Sequence, residues 1–189
     1  MKGIAVRLTS ARTITTRVRQ VALASLAPLA ACTGPDPGTS RAELSAALDA
    51  AYPDGWRFAS LDPDARSELE PGESAEWIGG DFDGDGRSDY AAQLVIWKLG
   101  HTTTVDSAQM IVALLRRREG FHRDVVSVGG GPSFDVYLAR IPRGERVADF
   151  DGRSAVTLER DAVQQIFAGK ASVAHLYEDG HWREILTGD

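Results

Sequence analysis

Apolar positions recur at helical spacing only near the start of the folded part of the chain. Leu44, Ala47, Leu48, Ala51 and Tyr52 fall on one face, Ser40-Arg41-Ala42-Glu43 reads as a capping box ahead of them, and Pro53 with Gly55 ends the run. The spacing predicts a helix from Ser40 to Tyr52. From residue 74 the period changes to that of strands, predicted at Ala75–Ile78, Tyr90–Lys98, Ala108–Arg117, Phe121–Val128, Phe134–Ile141, Ser154–Leu158, Ser172–Tyr177 and Trp182–Leu186. Between the helix and these strands, Asp54-Gly55-Trp56-Arg57-Phe58 reads as a short connecting strand. Asp62–Leu69 reads as one or two helical turns closed by Pro71-Gly72, and Asp161–Phe167 fits a strand or a short helix. Glu119-Gly120 and Asp179-Gly180 are short enough to join antiparallel strands, and Asp-Gly suits a two-residue type I′ turn. The expected fold is α+β: residues 40–189 as a single domain, a twisted antiparallel β-sheet meander partly covered by one N-terminal helix.

The first 31 residues have a different pattern. Lys2, Arg7, Arg12, Arg17 and Arg19 form a basic region without acids, and the apolar run Val21–Ala31 follows, as in a secretory signal peptide. The run ends in Leu29-Ala30-Ala31-Cys32, which resembles the lipobox of bacterial lipoproteins; that resemblance implies cleavage before Cys32 and lipidation of its thiol. Cys32 is the only cysteine, so no disulfide can form within the chain. Arg17-Val18-Arg19 is not a twin-arginine pair, which favours export of an unfolded chain. Residues 32–39, rich in Pro, Gly and Thr, read as a flexible tether between lipid and folded body. Thr33 stands where an Asp would signal inner-membrane retention, so resemblance to lipoprotein sorting implies the outer membrane, with the periplasmic face of the envelope as the wider expectation. No apolar run approaches the ~18 residues that a spanning helix needs.

Composition sharpens this picture. Loss of residues 1–31 takes the formal net charge from −6 to about −11, because five basic and no acidic residues leave. Such a surface argues against nucleic acid and anionic lipid as partners and favours cations.

The acidity is most concentrated in Asp81-Phe82-Asp83-Gly84-Asp85-Gly86-Arg87-Ser88-Asp89, with carboxylates at positions one, three, five and nine and glycine at six. Alternate residues of a turning backbone point to one centre, so Asp81, Asp83 and Asp85 can each offer an oxygen at about 2.3–2.6 Å to a calcium ion. Gly86 permits the sharp turn. Position seven, Arg87, offers its backbone carbonyl, and Asp89 closes the ring directly or through water. Position twelve, where an EF-hand carries a bidentate Glu, is Ala92, and the flanks Glu76–Gly80 and Tyr90–Trp97 read as strands. The loop is therefore expected to join two strands. Without an ion, four carboxylates this close repel one another.

Gly80 to Ala91 resembles the calcium turn of FG-GAP and VCBS-type repeats, a strand followed by an Asp-rich, Gly-punctuated loop. That resemblance implies Asp81, Asp83, Asp85, the Arg87 carbonyl and Asp89 as ligands. Those repeats recur to build propellers, whereas only Asp149-Phe150-Asp151-Gly152-Arg153-Ser154 echoes the loop here, lacking the later carboxylates. A full propeller is not expected. Most of residues 52–189 also resembles small exported bacterial proteins carrying one such turn, through Pro53-Asp54-Gly55-Trp56, the acid loop, Arg160–Val163, Gly169–Val173 and a terminal Tyr/Trp hairpin. No activity comes with that likeness.

Other residue sets offer weaker chemistry. His101, His122, His175 and His181 lack the short spacings of a zinc site. No G-x-S-x-G occurs, and Ser127-Val128-Gly129-Gly130-Gly131-Pro132-Ser133 lacks the Lys-Ser/Thr ending of a phosphate loop. Arg116-Arg117-Arg118 reads as a charged strand edge or hairpin shoulder, or as a site for an anionic partner. Trp56, Trp77, Trp97 and Trp182 read as core and hairpin anchors, with a sugar platform as the alternative. The expectation is a calcium-binding envelope lipoprotein without catalytic activity, binding or supporting an envelope protein or glycan. The alternative is an envelope hydrolase, or an inhibitor of one, using Asp135, Asp149 and Asp151; a third reading is a subunit of a larger envelope complex.

Overall fold

A computed structural model describes residues 37–97, 107–129 and 135–188. The signal peptide, Cys32, His101 and most of the Gly-rich segment lie outside the described residues. The chain runs α1 (Pro37–Ala51), β1 (Trp56–Phe58), α2 (Pro63–Ser67), β2 (Trp77–Gly80), β3 (Asp89–Trp97), β4 (Ser107–Arg117) and β5 (Gly120–Gly129). It continues with β6 (Val136–Ile141), β7 (Arg146–Ala148), β8 (Ala155–Thr157), β9 (Ala162–Phe167), β10 (Ala171–Glu178) and β11 (His181–Gly188). Antiparallel strands dominate, helices are few, and the sheets do not close into a barrel.

The strands divide between two sheets, where the alternation of apolar residues suggested one meander. The first sheet has the order β1-β3-β4-β5, with β2 also pairing β3; the second has the order β11-β10-β9-β6. β7 and β8 form a separate hairpin. A pair of backbone hydrogen bonds at 2.8 Å between Ser74 and Leu138 joins the approach to β2 with β6. Asp161–Phe167, ambiguous by its pattern, is a strand, paired on both sides by β6 and β10.

β3 and β4 lie at the centre of the first sheet, and both of their faces are covered. Tyr90, Ala92, Leu94 and Ile96 of β3, with Met110, Val112 and Leu114 of β4, form one buried cluster with Leu44 and Leu48 of α1. The alternate residues Ala91, Ile111, Ala113 and Leu115 form another with Leu138 and Val163 of the second sheet. This two-sided burial explains why β3 reads as a continuous apolar run. The far face of the second sheet, through Ala162, Ala174 and Leu176, packs on Val147 and Leu158 of the β7–β8 segment. The layers are thus helix, sheet, sheet and hairpin.

Local chemistry sets the boundaries. α1 begins at Pro37, ahead of the predicted cap at Ser40, so residues 37–39 of the expected tether are helical; proline at a first helical position has its φ already set. Its predicted apolar face is the one used, since Leu44 and Leu48 are fully buried. Each contributes about 1.5–3 kcal/mol by the usual burial scale. α2 starts on Asp62, whose carboxylate accepts the Asp64 N–H at 2.9 Å. The Asp179-Gly180 turn has φ of 51° and 82°, both positive, as a type I′ hairpin requires. At the other hairpin Arg117 pairs with Gly120, so the two loop residues are Arg118 and Glu119 rather than Glu119-Gly120. Among the described residues no helix is long and apolar enough to cross a membrane.

Candidate metal centre

β2 ends at Gly80 and β3 begins at Asp89, and these two residues are partners in the antiparallel register. The acid loop is therefore the connection of a hairpin. It is bent through Gly84 and Gly86, whose φ values of 80° and 82° are left-handed. Phe82, between the first two aspartates, turns inward and is fully buried in the cluster between the sheets. It anchors the loop while its neighbours face the other way. Gly80 must be small here: a Cβ would come within 2.7 Å of the Phe82 ring.

Asp81, Asp83 and Asp89 each place one carboxylate oxygen within 4.8 Å of the other two. Two oxygens held at about 2.4 Å from one cation lie at most about 4.8 Å apart, so the spacing fits a shared hard ion. The donors are all oxygens, which suits calcium or magnesium and not a soft metal. Asp85 stands outside this group. One of its oxygens accepts the Arg87 N–H at 2.9 Å, and the other lies 3.8 Å from the Arg87 guanidinium and 3.9 Å from that of Arg117. The Arg87 side chain is exposed and faces Asp85, as a residue offering only its carbonyl would place it.

The loop's own amides take up most of the remaining acceptors. Gly86 N–H donates to Asp81 Oδ2 at 3.1 Å and Asp85 N–H to Asp83 Oδ1 at 3.1 Å. Asp89, fully buried, accepts the Phe82 N–H at 2.9 Å and the Arg116 N–H at 2.7 Å. Asp81 Oδ1 remains, buried and without a hydrogen-bond partner. An unpaired buried carboxylate oxygen is costly, and a cation at the centre of the three aspartates would satisfy it.

The electrostatics agree. Burial, helped by the neighbouring charge of Asp83, pushes the Asp89 carboxyl up to about 6 against the pull of its N–H donors. Negative charge at the centre is thus under strain unless neutralised.

Four residues that sequence reasoning did not assign here complete the surroundings. Arg117 Nη1 bonds to Asp83 Oδ2, and Arg160 Nη1 donates to the Asp83 carbonyl at 3.1 Å. Arg116 Nε donates to the Ser88 carbonyl at 3.1 Å, while its Nη2 meets Glu43 of α1 at 2.6 Å. Arg116 and Arg117 close the β4–β5 hairpin, the shoulder position expected of the triplet, though β4 is a central strand and not an edge. Arg117 is a counter-charge of the acid loop, while the Arg116 guanidinium pairs with Glu43. Asp161, at the entry to β9, exchanges hydrogen bonds with Asp81 in both directions at 3.1 Å and accepts the Arg143 N–H at 2.9 Å. It ties the loop to the second sheet. A triplet of basic residues in an acidic chain was the available signal for Arg116 and Arg117; nothing in the local pattern marks Asp161, eighty positions away.

Arg117 would compete with a metal ion for Asp83. Arg117→Gln should therefore tighten calcium binding by about threefold to tenfold, as one nearby positive charge is removed, while lowering the stability of the calcium-free protein by about 1 kcal/mol. Calorimetric titration and chemical denaturation in chelator check the two arms.

The other predicted candidates are dispersed. His122 and His181 are exposed on β5 and β11, and His175 is buried on β10. Asp135 pairs with Lys170 at 2.6 Å, Asp151 lies 3.6 Å from Arg153, and Asp149 accepts the Ser154 hydroxyl at 2.9 Å. Comparison with family profiles, characterised proteins and solved structures returns no match.

Proposed function

We propose that the chain is a calcium-binding lipoprotein of the bacterial cell envelope, anchored through Cys32, whose folded domain is a non-catalytic binding or structural module. The observation that carries this reading is the buried, unpartnered Asp81 Oδ1, set beside Asp83 and Asp89 in a β-hairpin loop. The loop's likeness to FG-GAP and VCBS-type turns supports calcium, with Asp85 and the Arg87 carbonyl supplying further oxygens as the loop closes on the ion. Bound there, calcium would hold β2, β3 and, through Asp161, the second sheet in one arrangement. The lipobox and the acidic mature chain support attachment by lipid to an outer-membrane or periplasmic surface, with an envelope protein or glycan as partner and no nucleic acid.

The alternative of an envelope hydrolase or inhibitor draws less support from its residues. Asp135, Asp149 and Asp151 are each engaged by a local partner, and hydrogen bonds from Ser154 hold the Asp149 carboxyl below its ordinary range.

Paired melts distinguish the readings at the site. Calcium at ten times its dissociation constant should raise the stability of the unaltered protein by about 1.4 kcal/mol, and Asp81→Asn should abolish the response. An equal response in the variant would remove Asp81 from the site.

A further inference from the structure

Beside the acid loop lies an open cleft of about 610 Å³. Its size falls within the range of small-molecule sites, about 300–1,000 Å³. Three parts of the chain meet there: the acid loop at Asp83 and Gly84, the β6–β7 turn at Arg143 and Gly144, and residues 157–160 at the end of β8. Hydrogen bonds join these walls. Gly144 N–H donates to the Leu158 carbonyl and Leu158 N–H to the Glu145 carbonyl, both at 2.9 Å. Asp161 accepts the Arg143 N–H at one carboxylate oxygen and the Asp81 N–H at the other. The Arg160 side chain lies against Gly84, where an added Cβ would meet its Cβ and Nε at 3.6 Å. The cleft is thus built into the fold, with little ordering left for a ligand to impose.

Its polar lining is reachable from solvent. Arg143, Thr157 and Glu159 are exposed, and among the described residues the Arg143 guanidinium, the Thr157 hydroxyl and the Glu159 carboxylate have no hydrogen-bond or ion-pair partner. Arg160, half-buried, donates through Nη1 to the Asp83 carbonyl, which leaves Nε and Nη2. Asp83 itself is turned to Arg117, and its side chain is 8% accessible. The free groups are therefore two guanidiniums, one hydroxyl and one carboxylate. A guanidinium presents paired N–H donors and a carboxylate paired acceptor oxygens, and each pair matches two neighbouring hydroxyls of a sugar ring. An anion drawn to Arg143 would meet Glu159 and the acid loop, and an organic cation would meet both guanidiniums. An apolar ligand would find only Leu158 as a large apolar residue, itself buried.

We infer that this cleft binds a neutral, hydroxyl-rich saccharide through Arg143, Thr157, Glu159 and Arg160. The inference names the glycan of the binding-module reading above and rests on that reading. It does not rest on a bound ion, since none of these four residues belongs to the aspartate cluster.

The test is a titration of the ¹⁵N-labelled chain, with calcium present, against maltose, cellobiose, lactose and diacetylchitobiose. Tetraethylene glycol, which has ether oxygens but no vicinal hydroxyls, and glucuronate serve as comparisons. At least one of the disaccharides should move the Thr157, Glu159 and Arg160 backbone amides and the Arg143 and Arg160 Nε–H signals, saturably in the millimolar range that an open cleft allows. Tetraethylene glycol should move none of them. Arg143→Ala should weaken the binding about tenfold, the effect of one hydrogen bond to a charged group, and Glu159→Ala by a similar factor. Both melting temperatures should hold, because neither side chain is bonded to another described residue. No saturable shift with any of the disaccharides up to its solubility overturns the inference. So do equal shifts with tetraethylene glycol, and glucuronate binding more than about tenfold tighter than every neutral sugar, the mark of an anion site. A calcium titration of the same sample keeps the two readings apart: calcium binding without saccharide binding overturns this inference alone, and saccharide binding without calcium binding overturns the metal centre alone.

Discussion

Asp89→Ala is expected to lower the stability of the calcium-loaded protein by about 3 kcal/mol, the sum of two buried N–H groups losing a charged acceptor. The groups are the backbone amides of Phe82 and Arg116, at 2.9 and 2.7 Å from the Asp89 oxygens. No side chain or solvent replaces Asp89, because it has no exposed surface. In chelator the loss should be smaller. Burial and Asp83 raise the Asp89 carboxyl to about 6, so at pH 7 its charge already opposes folding when no cation neutralises it. Urea denaturation with calcium and with chelator reads both values. A loss larger without calcium than with it would show that Asp89 serves only as a backbone acceptor and is indifferent to the ion.

Acidification should expose the second large effect, which belongs to His175. Burial holds its imidazole down to about 4, against an unfolded value near 6.5, and its side chain is 1% accessible. The folded pKa lies below the unfolded one, so the unfolded chain takes up the proton first. Stability is therefore full above about pH 6.5 and is lost as pH falls toward 4, by about 3 kcal/mol in total. Asp89 acts with the opposite sign over much of the same interval, since its raised carboxyl takes up a proton in the folded state first. The measurement is thus a difference: the stability of the unaltered protein minus that of His175→Gln, followed from pH 7 to 4 by chemical denaturation. It should fall by about 3 kcal/mol, and a flat difference would place His175 in contact with water.

The strand-rich body was legible because alternation is a local property. Each predicted strand that falls within the described residues is present, and Asp179-Gly180 announced its turn through residue types that tolerate positive φ. The division into two sheets was not legible. Alternation in β4 shows that Ile111 and Val112 point to opposite faces, and says nothing of whether a helix or a second sheet covers each. β7, three residues long, carries too little pattern to be seen.

The candidate site divides the same way. Asp81, Asp83 and Asp89 come together as their spacing implied, because they lie within one loop closed by a β-pair. Asp85 does not join them, since its carboxylate is drawn to the Arg87 amide and to two guanidinium groups. Arg117 and Asp161 reach the loop from β4 and β9, and contacts across that much chain leave no trace in spacing. They are also the residues that set the charge and the rigidity of the loop, so any affinity for a cation would be a property of the tertiary fold.

Isothermal titration of the chain with calcium chloride, after chelator treatment, reads binding at the acid loop itself. One saturable site per chain is expected, removed by Asp83→Asn, with a melting temperature that rises as the site fills. A flat heat trace and an unchanged melt at millimolar calcium would contradict it.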